Sequence, residues 1–246
     1  MLSQNESQLI ELFNQYYDKY EELNSEFISK EYDFAYSKNA RLFLNRGALC
    51  PSPVIDIVIG GASRGKVTKR IRGPLTKGFI YYFQKGSDQL EGYDYYAMFG
   101  NESMLYQRAF IKRKDNKEHD ITFAFIKTKS GQIEPCLKEV VECIYDILGR
   151  ITSYYYMFTY ALNAGVEKAL ESVEFQGECY TYDESSQLLD TASLSYKLDD
   201  RTKLDIYKFK HNDEGCLISY QNILAKPGSA NHGHEYPIAR SKQRKV

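Results

Sequence analysis

The segment at residues 134–173 carries the longest periodic apolar pattern in the chain. Its apolar residues recur at alternating steps of four and three: Leu137, Val141, Ile144, Leu148, Ile151, Tyr155, Phe158 and Leu162. Such spacing lines one face of a helix. Aromatic segments with a period of two lie on either side. The sequence therefore predicts an α+β fold, with antiparallel aromatic-rich strands before and after a long central helix.

A second helical pattern begins at the N terminus. Ser3 followed by Glu6 forms a capping box. The apolar stripe that follows is Leu9, Phe13, Tyr16, Tyr20, Leu23 and Phe27. Because this stripe has the same period as the central one, we expect the two helices to pack together.

Four segments have the pattern of a β-hairpin. In each, an aromatic alternation precedes a polar turn and an aliphatic residue, and the turns lie at residues 84–88, 129–131, 183–187 and 212–215. The pattern of residues 104–111 predicts another strand. The charged residues at 112–120 predict a loop in which His119 is exposed. Residues 31–53 are interrupted by glycine and proline and predict a connector.

Composition limits both the class of protein and its setting. A chain of 246 residues with 43% hydrophobic content fits one domain over 1–246, with a possible subdivision into 1–133 and 134–225 before a mobile tail at 226–246. The formal charge of −1 gives no field that favours nucleic acid or a membrane. Five scattered cysteines predict thiols in a reducing compartment, and no secretory signal opens the sequence. We therefore expect a cytoplasmic protein.

A glycine-rich loop follows the predicted buried strand at residues 54–59. Residues 60–66 match the GxxxxGK spacing of a phosphate-binding loop. The residues that would hold phosphate are Gly60, Gly65 and Lys66. However, Val67 replaces the expected Ser or Thr, and Pro74 would break the helix that such a loop needs. A hairpin turn fits better, and a phosphate- or nucleotide-binding enzyme is the alternative.

The second strand of this predicted hairpin would be basic. With a period of two, its cations share one face: Arg64, Lys66, Arg70 and Arg72. A line of cations predicts contact with an acidic partner, while a solvated strand face is the competing interpretation. Tyr93 and Tyr95, on a tyrosine-rich strand, are further candidate partner contacts, because tyrosine is enriched at interfaces.

A third possibility lies near the C terminus. His232, His234 and Glu235 offer ligands that suit zinc or manganese, which would make the protein a metal-dependent hydrolase. No second ligand cluster accompanies them, and the chain has no GxSxG, HExxH or dinucleotide-binding glycine motif. The sequence therefore favours a non-enzymatic protein and predicts no cofactor.

Two segments carry a resemblance to a known family. Residues 78–96 read GFIYYFQKGSDQLEGYDYY, and residues 179–188 read CYTYDESSQL. The first resembles the aromatic hairpin of YezG-like (DUF600) bacterial immunity proteins and antitoxins, and the second is similar to a later strand-turn-strand of that group. The resemblance implies a cytoplasmic protein that binds and neutralises a cognate toxin, with no catalytic residues to carry over. We expect a binding protein with a protein partner.

Overall fold

The computed structural model describes residues 4–38, 46–52, 66–70, 76–128, 130–162, 165–198, 201–224 and 234–238. Within these residues the chain is mainly β-strand, with three short α-helices and one turn of 3-10 helix. The helices are α1 (Gln4–Tyr16), α2 (Tyr20–Ile28) and α3 (Val166–Glu171), and the 3-10 turn is Gly47–Leu49. The strands are β1 (Tyr32–Ser37), β2 (Gly78–Gln84), β3 (Leu90–Phe99), β4 (Glu102–Lys114), β5 (Lys117–Lys127), β6 (Ile133–Tyr145), β7 (Ile151–Thr159), β8 (Val173–Tyr182), β9 (Leu189–Leu198), β10 (Arg201–His211), β11 (Leu217–Asn222) and β12 (Glu235–Pro237).

These strands belong to one sheet in which neighbours in sequence are also neighbours in space. The order runs from β1 to β12 without a crossover. Pairing is antiparallel between β2 and β3, where Tyr81 faces Tyr93, and between β10 and β11, where Tyr207 faces Asn222. Antiparallel neighbours need only short connections, so successive turns alternate between the two ends of the sheet.

The central helix predicted for residues 134–173 is wrong. Strands β6 and β7 occupy most of that segment, and only α3 near its end is helical. Val140 and Val141 are both buried although they are adjacent in β6, so both faces of this strand are covered. A strand that is buried on both faces shows no period of two, and its apolar spacing can then imitate that of a helix. The fold is therefore mainly an antiparallel sheet instead of an α+β arrangement around a helix.

Local chemistry explains why this segment forms a hairpin. Residues 151–159 are rich in aromatic and β-branched side chains, which favour strands. Before them, Asp146 Oδ1 accepts hydrogen bonds from the N–H groups of Leu148 and Arg150, each at 2.9 Å. Gly149 adopts a φ of +75°, which glycine reaches at no steric cost. Together Asp146 and Gly149 make the turn that a continuous helix would exclude.

The N-terminal stripe forms two helices where one was predicted. A break at residues 17–19 separates α1 from α2. With no long helix to pack against, α2 contacts the sheet: the ring of Phe27 lies 5.4 Å from that of Phe110, and the ring of Tyr20 lies 5.2 Å from that of Phe123. The predicted helix–helix packing is therefore wrong.

The strand predictions fare better. Three of the four predicted aromatic hairpins are present as the pairs β2–β3, β8–β9 and β10–β11. The fourth prediction falls on β5 and β6, which are neighbours in the sheet, and residue 129 of its turn lies outside the described residues. The predicted strand at 104–111 lies within β4. The charged loop predicted at 112–120 is wrong, because β4 extends to Lys114 and β5 begins at Lys117. The predicted connector at 31–53 contains β1.

The chain divides into two compact units, neither of which is continuous in sequence. Unit 1 contains the described residues of Met1–Pro51, Ser63–Glu142 and Tyr156–Glu174. Unit 2 contains those of Ser52–Ala62, Cys143–Tyr155 and Phe175–Val246. Each unit has its own buried side chains.

Unit 1 is covered on both faces of its sheet. One face carries a buried cluster formed by Ala35, Phe79, Tyr81, Leu90, Tyr93, Tyr95, Ala109 and Ile111. The opposite face carries Tyr82 and Phe110, against which Phe27 of α2 packs at 5.0 and 5.4 Å between ring centroids. This double coverage explains why so many tyrosines of the chain serve packing.

Tyr81 joins this core to the 3-10 turn. Its side chain is 0% exposed, its hydroxyl donates to the carbonyl of Arg46 at 2.8 Å, and it accepts from the N–H of Ala48 at 3.0 Å. We expect Tyr81→Phe to lower the free energy of unfolding by about 1–3 kcal/mol, because two buried backbone groups lose their partner. Chemical denaturation of the purified variant measures this change.

Tyr106→Phe is the matched control. Its hydroxyl makes no hydrogen bond within the described part of the chain, and its ring is only half-buried. Removing that hydroxyl should change the free energy of unfolding by less than about 0.5 kcal/mol. Equal losses in both variants would show that the Tyr81 hydroxyl contributes nothing specific.

Candidate partner-binding site at the edge of strand β1

Strand β1 is the first strand of the sheet, and among the described residues one of its edges is largely unpaired. It pairs with β2 from Tyr32↔Gln84 to Ser37↔Phe79. On its other edge only Tyr36 is paired among the described residues: its N–H donates to the Thr68 carbonyl at 2.8 Å and its carbonyl accepts from the Thr68 N–H at 2.9 Å. Since antiparallel pairing alternates along a strand, Phe34 directs its N–H and C=O to this same side. The open edge therefore presents backbone donors and acceptors at Phe34.

Within residues 66–70 the chain makes this single bridge to β1 and then bends at Lys69. Thr68 Oγ1 donates to the carbonyl of Arg70 at 2.8 Å, which closes a local turn. A groove of about 600 Å³ opens where the two segments separate. Its walls are Asp33, Phe34 and Ala35 from β1, Val67, Thr68 and Lys69 from the bridging segment, and Phe83, Gly86, Ser87 and Asp88 from the β2 end and its turn. This volume is within the range of ordinary ligand sites.

The groove combines apolar surface with fixed polar groups. The ring of Phe34 is 46% exposed and packs edge-on against Tyr82, with the ring centroids 5.4 Å apart. Asp33 Oδ2 accepts from the Gly86 N–H at 2.8 Å and so fixes the turn after β2. Lys66, Lys69 and Arg70 are exposed beside the groove. An extended chain could pair with the Phe34 backbone and place acidic side chains near these cations.

The structure brings two of the predicted cations to this site. Lys66 and Arg70 are exposed on the bridging segment, whereas Arg64 and Arg72 lie outside the described residues. The segment forms a single bridge to β1 and no strand within residues 66–70, so the predicted strand face is not formed there.

The two tyrosines predicted as partner contacts lie in the core. Tyr93 and Tyr95 are 0% and 1% exposed. The Tyr93 hydroxyl shares a hydrogen bond with Thr122 Oγ1 at 3.1 Å, and burial, followed by the nearby Asp120, raises the pKa of Tyr93 well above its usual value. Neither ring is available to a partner in this structure.

The alternative sites are only partly covered by the structure. Gly60 and Gly65, with the strand predicted before them, lie outside the described residues, and Lys66 is exposed. Of the three predicted metal ligands, His232 also lies outside the described residues. His234 and Glu235 are described, and Glu235 is the first residue of β12. Lys210 Nζ lies 3.5 Å from Glu235 Oε1, and the Ser219 hydroxyl donates to the same oxygen. Within the described ranges no three His, Cys, Asp or Glu residues are grouped to hold a metal.

A buried charge cluster in unit 1 was missed by the sequence analysis. Arg46 Nη2 donates to Glu118 Oε1 at 2.6 Å and Arg46 Nε to Asp120 Oδ2 at 2.9 Å, and all three side chains are at most 5% exposed. Glu118, Asp120 and Thr122 alternate along β5 and so share one face. That period of two in polar residues indicates a strand, but it does not show that the polar face is buried.

The two carboxylates of this cluster respond differently to the shared arginine. Burial raises the pKa of Asp120, and Arg46 offsets only part of that rise. Burial also acts to raise the pKa of Glu118, but Arg46 together with Arg113 brings it below its usual value. The difference has a physical cause, because Glu118 has two cationic partners while Asp120 shares only one. We interpret the cluster as a structural support and assign it no reaction.

Comparisons with known proteins add no family. No protein-family model matches the chain, and no curated protein matches it. The chain is similar to a solved protein of unknown function from Bacteroides fragilis, at 15% identity and a TM-score of 0.36 over 52% of this chain and 88% of that one. It is also similar to a porin-like protein from Bacteroides vulgatus, at 14% identity and a TM-score of 0.38 over 64% of this chain and 82% of that one. At these scores neither likeness bears on function, and the YezG-like resemblance stays a prediction.

None of the described helices is both long enough and apolar enough to span a bilayer.

Proposed function

We propose that the chain is a non-enzymatic binding protein that takes up an extended, acidic segment of a protein partner at the edge of β1. The observation that carries the proposal is the outward-facing backbone of Phe34 beside a groove lined by Ala35, Val67 and Phe83. Strand addition of this kind draws affinity from main-chain hydrogen bonds and specificity from alternate side chains in the groove. Lys66, Lys69 and Arg70 would attract the acidic side chains of the segment.

The first partner to test is a toxin. The resemblance of residues 78–96 and 179–188 to YezG-like immunity proteins is the reason for this choice. In that role the chain would act in the cytoplasm and neutralise a cognate toxin by direct binding. Co-expression with a toxin from a neighbouring gene should restore growth, and growth arrest that continues at full expression of the chain would count against the immunity role.

Reversing the cations beside the groove tests the electrostatic part of the proposal. We expect Lys66→Glu/Lys69→Glu/Arg70→Glu to weaken binding of the acidic partner about tenfold or more and to slow association, since like charges then face each other. Surface plasmon resonance at two salt concentrations measures both effects. The control Lys114→Glu/Lys168→Glu/Lys203→Glu makes the same charge change at other exposed lysines. Equal weakening by both triples would mean that only net charge matters.

A backbone variant separates strand addition from general attraction. Phe34→Pro removes the outward N–H without removing a bond to β2, and edge strands tolerate proline. Phe34→Leu keeps that N–H and a large apolar side chain. Binding should be lost in the proline variant and kept in the leucine variant, with circular dichroism to verify the fold. A proline variant that binds like the wild type would rule out strand addition at β1.

A further inference from the structure

One end of unit 2 carries three hairpin turns, those of β6–β7, β8–β9 and β10–β11 at residues 146–150, 183–188 and 212–215, which we call the three-turn end. Arg150 joins the first two, because its Nη1 donates to Gln187 Oε1 at 2.6 Å. Leu188 packs near Gly215, where an added Cβ would lie 3.3 Å from the leucine side chain. The three turns are thus in contact with one another as a set.

The first turn holds two aliphatic residues in solvent. Ile147 is 102% exposed and Leu148 is 62% exposed. The turn itself depends on Asp146, whose carboxylate accepts from the N–H groups of Leu148 and Arg150 at 2.9 Å and from Arg150 Nε at 2.7 Å. No side-chain atom of Ile147 or Leu148 takes part in those bonds, so the fold would accept polar residues at both positions. Single exposed aliphatic residues are common, but an adjacent pair on a rigid turn forms a preorganised apolar surface for a partner.

The arginine that fixes this turn is itself restrained. The guanidinium of Arg150 lies 4.3 Å from the centre of the Tyr182 ring, and its Nη2 lies 2.7 Å from Asp146 Oδ2. A rigid turn loses little conformational entropy when it docks. The tip therefore suits insertion into a pocket.

The other two turns add negative charge to the same end of unit 2, and the second lies directly beside the tip. Glu184, Asp213 and Glu214 are exposed on them, as is Asp183. Asp183 Oδ1 accepts from the N–H of Ser186 at 2.7 Å and from the Ser185 hydroxyl at 2.6 Å, and the bonds from these serines hold the pKa of Asp183 well below its usual value. Within the three turns Arg150 is the only cation, and Asp146 neutralises it.

We propose that the three-turn end docks a basic protein surface with an apolar pocket, into which Ile147 and Leu148 insert. The carboxylates on the two neighbouring turns complement basic side chains beside such a pocket and oppose acidic ones. This interface is built from unit 2 alone and does not depend on the edge of β1.

A titration with designed peptides tests the proposal on the full chain. The probe is an amphipathic helical peptide of leucine and lysine, and its leucine–glutamate counterpart is the charge control. With ¹⁵N-labelled protein, the lysine peptide should shift the amide signals of Ile147, Leu148, Glu184 and Glu214, while the glutamate peptide should shift none of them. Equal binding of both peptides would overturn the proposal.

Two variants separate the apolar and the charged contributions. Ile147→Ser/Leu148→Ser should weaken binding of the lysine peptide at least tenfold, and its control Leu204→Ser/Ile223→Ser, at residues 51% and 46% exposed, should not. Glu184→Gln/Asp213→Asn/Glu214→Gln should weaken binding at low salt and flatten its salt dependence. All of these side chains are exposed, so we expect the fold to be kept. Unchanged binding in the tip variant, or a wild-type dimer that the tip variant abolishes, would overturn the proposal.

Discussion

Arg46→Met should lower the free energy of unfolding by about 3–5 kcal/mol. Arg46 is 4% exposed, and it binds Glu118 at 2.6 Å and Asp120 at 2.9 Å in the interior of unit 1. Removing the guanidinium leaves Asp120, which is 0% exposed, without the cation that compensates its burial. The loss comes mainly from that uncompensated carboxylate, more than from the attraction itself. Denaturant unfolding at neutral pH measures it.

A surface pair and a combined variant complete this experiment. Lys19 pairs with Glu22 at 2.7 Å, but the two side chains are 51% and 71% exposed. Lys19→Met should therefore leave the free energy of unfolding close to that of the wild type. Arg46→Met/Glu118→Gln/Asp120→Asn removes the buried charges together and should recover part of the loss. A combined variant less stable than Arg46→Met would contradict the explanation by uncompensated charge.

The Arg46 cluster also illustrates what a sequence pattern leaves open. Arg46 and Glu118 are separated by 72 positions, and nothing local to either residue indicates the other. The polar alternation of Glu118, Asp120 and Thr122 resembles a solvated strand face, because most strands expose polar residues. Only the position of the strand within the sheet, covered by residues 46–49, makes that face interior.

The same limit explains which strands could be predicted. Hairpins such as β8–β9 were predictable because their turns carry local signals: Asp183 accepts hydrogen bonds from the N–H groups of Ser185 and Ser186. The β6–β7 hairpin carries an equivalent turn signal in Asp146 and Gly149. However, the apolar residues around it recur at alternating steps of four and three, and this spacing favoured a helix. For strands covered on both faces, turn chemistry was more informative here than the spacing of apolar residues.

The candidate site at β1 was predictable only in part. The cations Lys66 and Arg70 are visible in the sequence as a cluster. The open edge is not, because it depends on β1 being first in the sheet and on the bridge between Tyr36 and Thr68, which are distant in sequence. Charge can be counted from a sequence, whereas an unpaired strand edge requires knowledge of which strands pair.

Glu178→Gln should make the protein more stable above neutral pH. Glu178 is 0% exposed in unit 2, and its described partners are uncharged: Ser52 Oγ at 2.7 Å, Gln176 Nε2 at 2.9 Å and the Tyr180 hydroxyl. Burial raises the pKa of Glu178 from 4.5 to about 7, against the smaller effect of these hydrogen bonds. Between those pH values the folded state holds a proton that the unfolded chain releases. The free energy of unfolding therefore falls as pH rises through this window, by roughly 3 kcal/mol in total.

The glutamine variant removes this dependence. Its amide can accept the Ser52 and Tyr180 hydrogen bonds through oxygen, and the Gln176 amide can rotate to accept its N–H, so the buried groups stay satisfied. Urea unfolding from pH 4.5 to 8 should give a smaller decrease than in the wild type, with the difference between the two proteins largest at pH 8. Glu184→Gln removes the same charge from an exposed turn and should leave the wild-type decrease in place. If the glutamine variant and the wild type lose stability in parallel across this range, Glu178 does not hold its proton in the folded state and the buried site is ionised throughout.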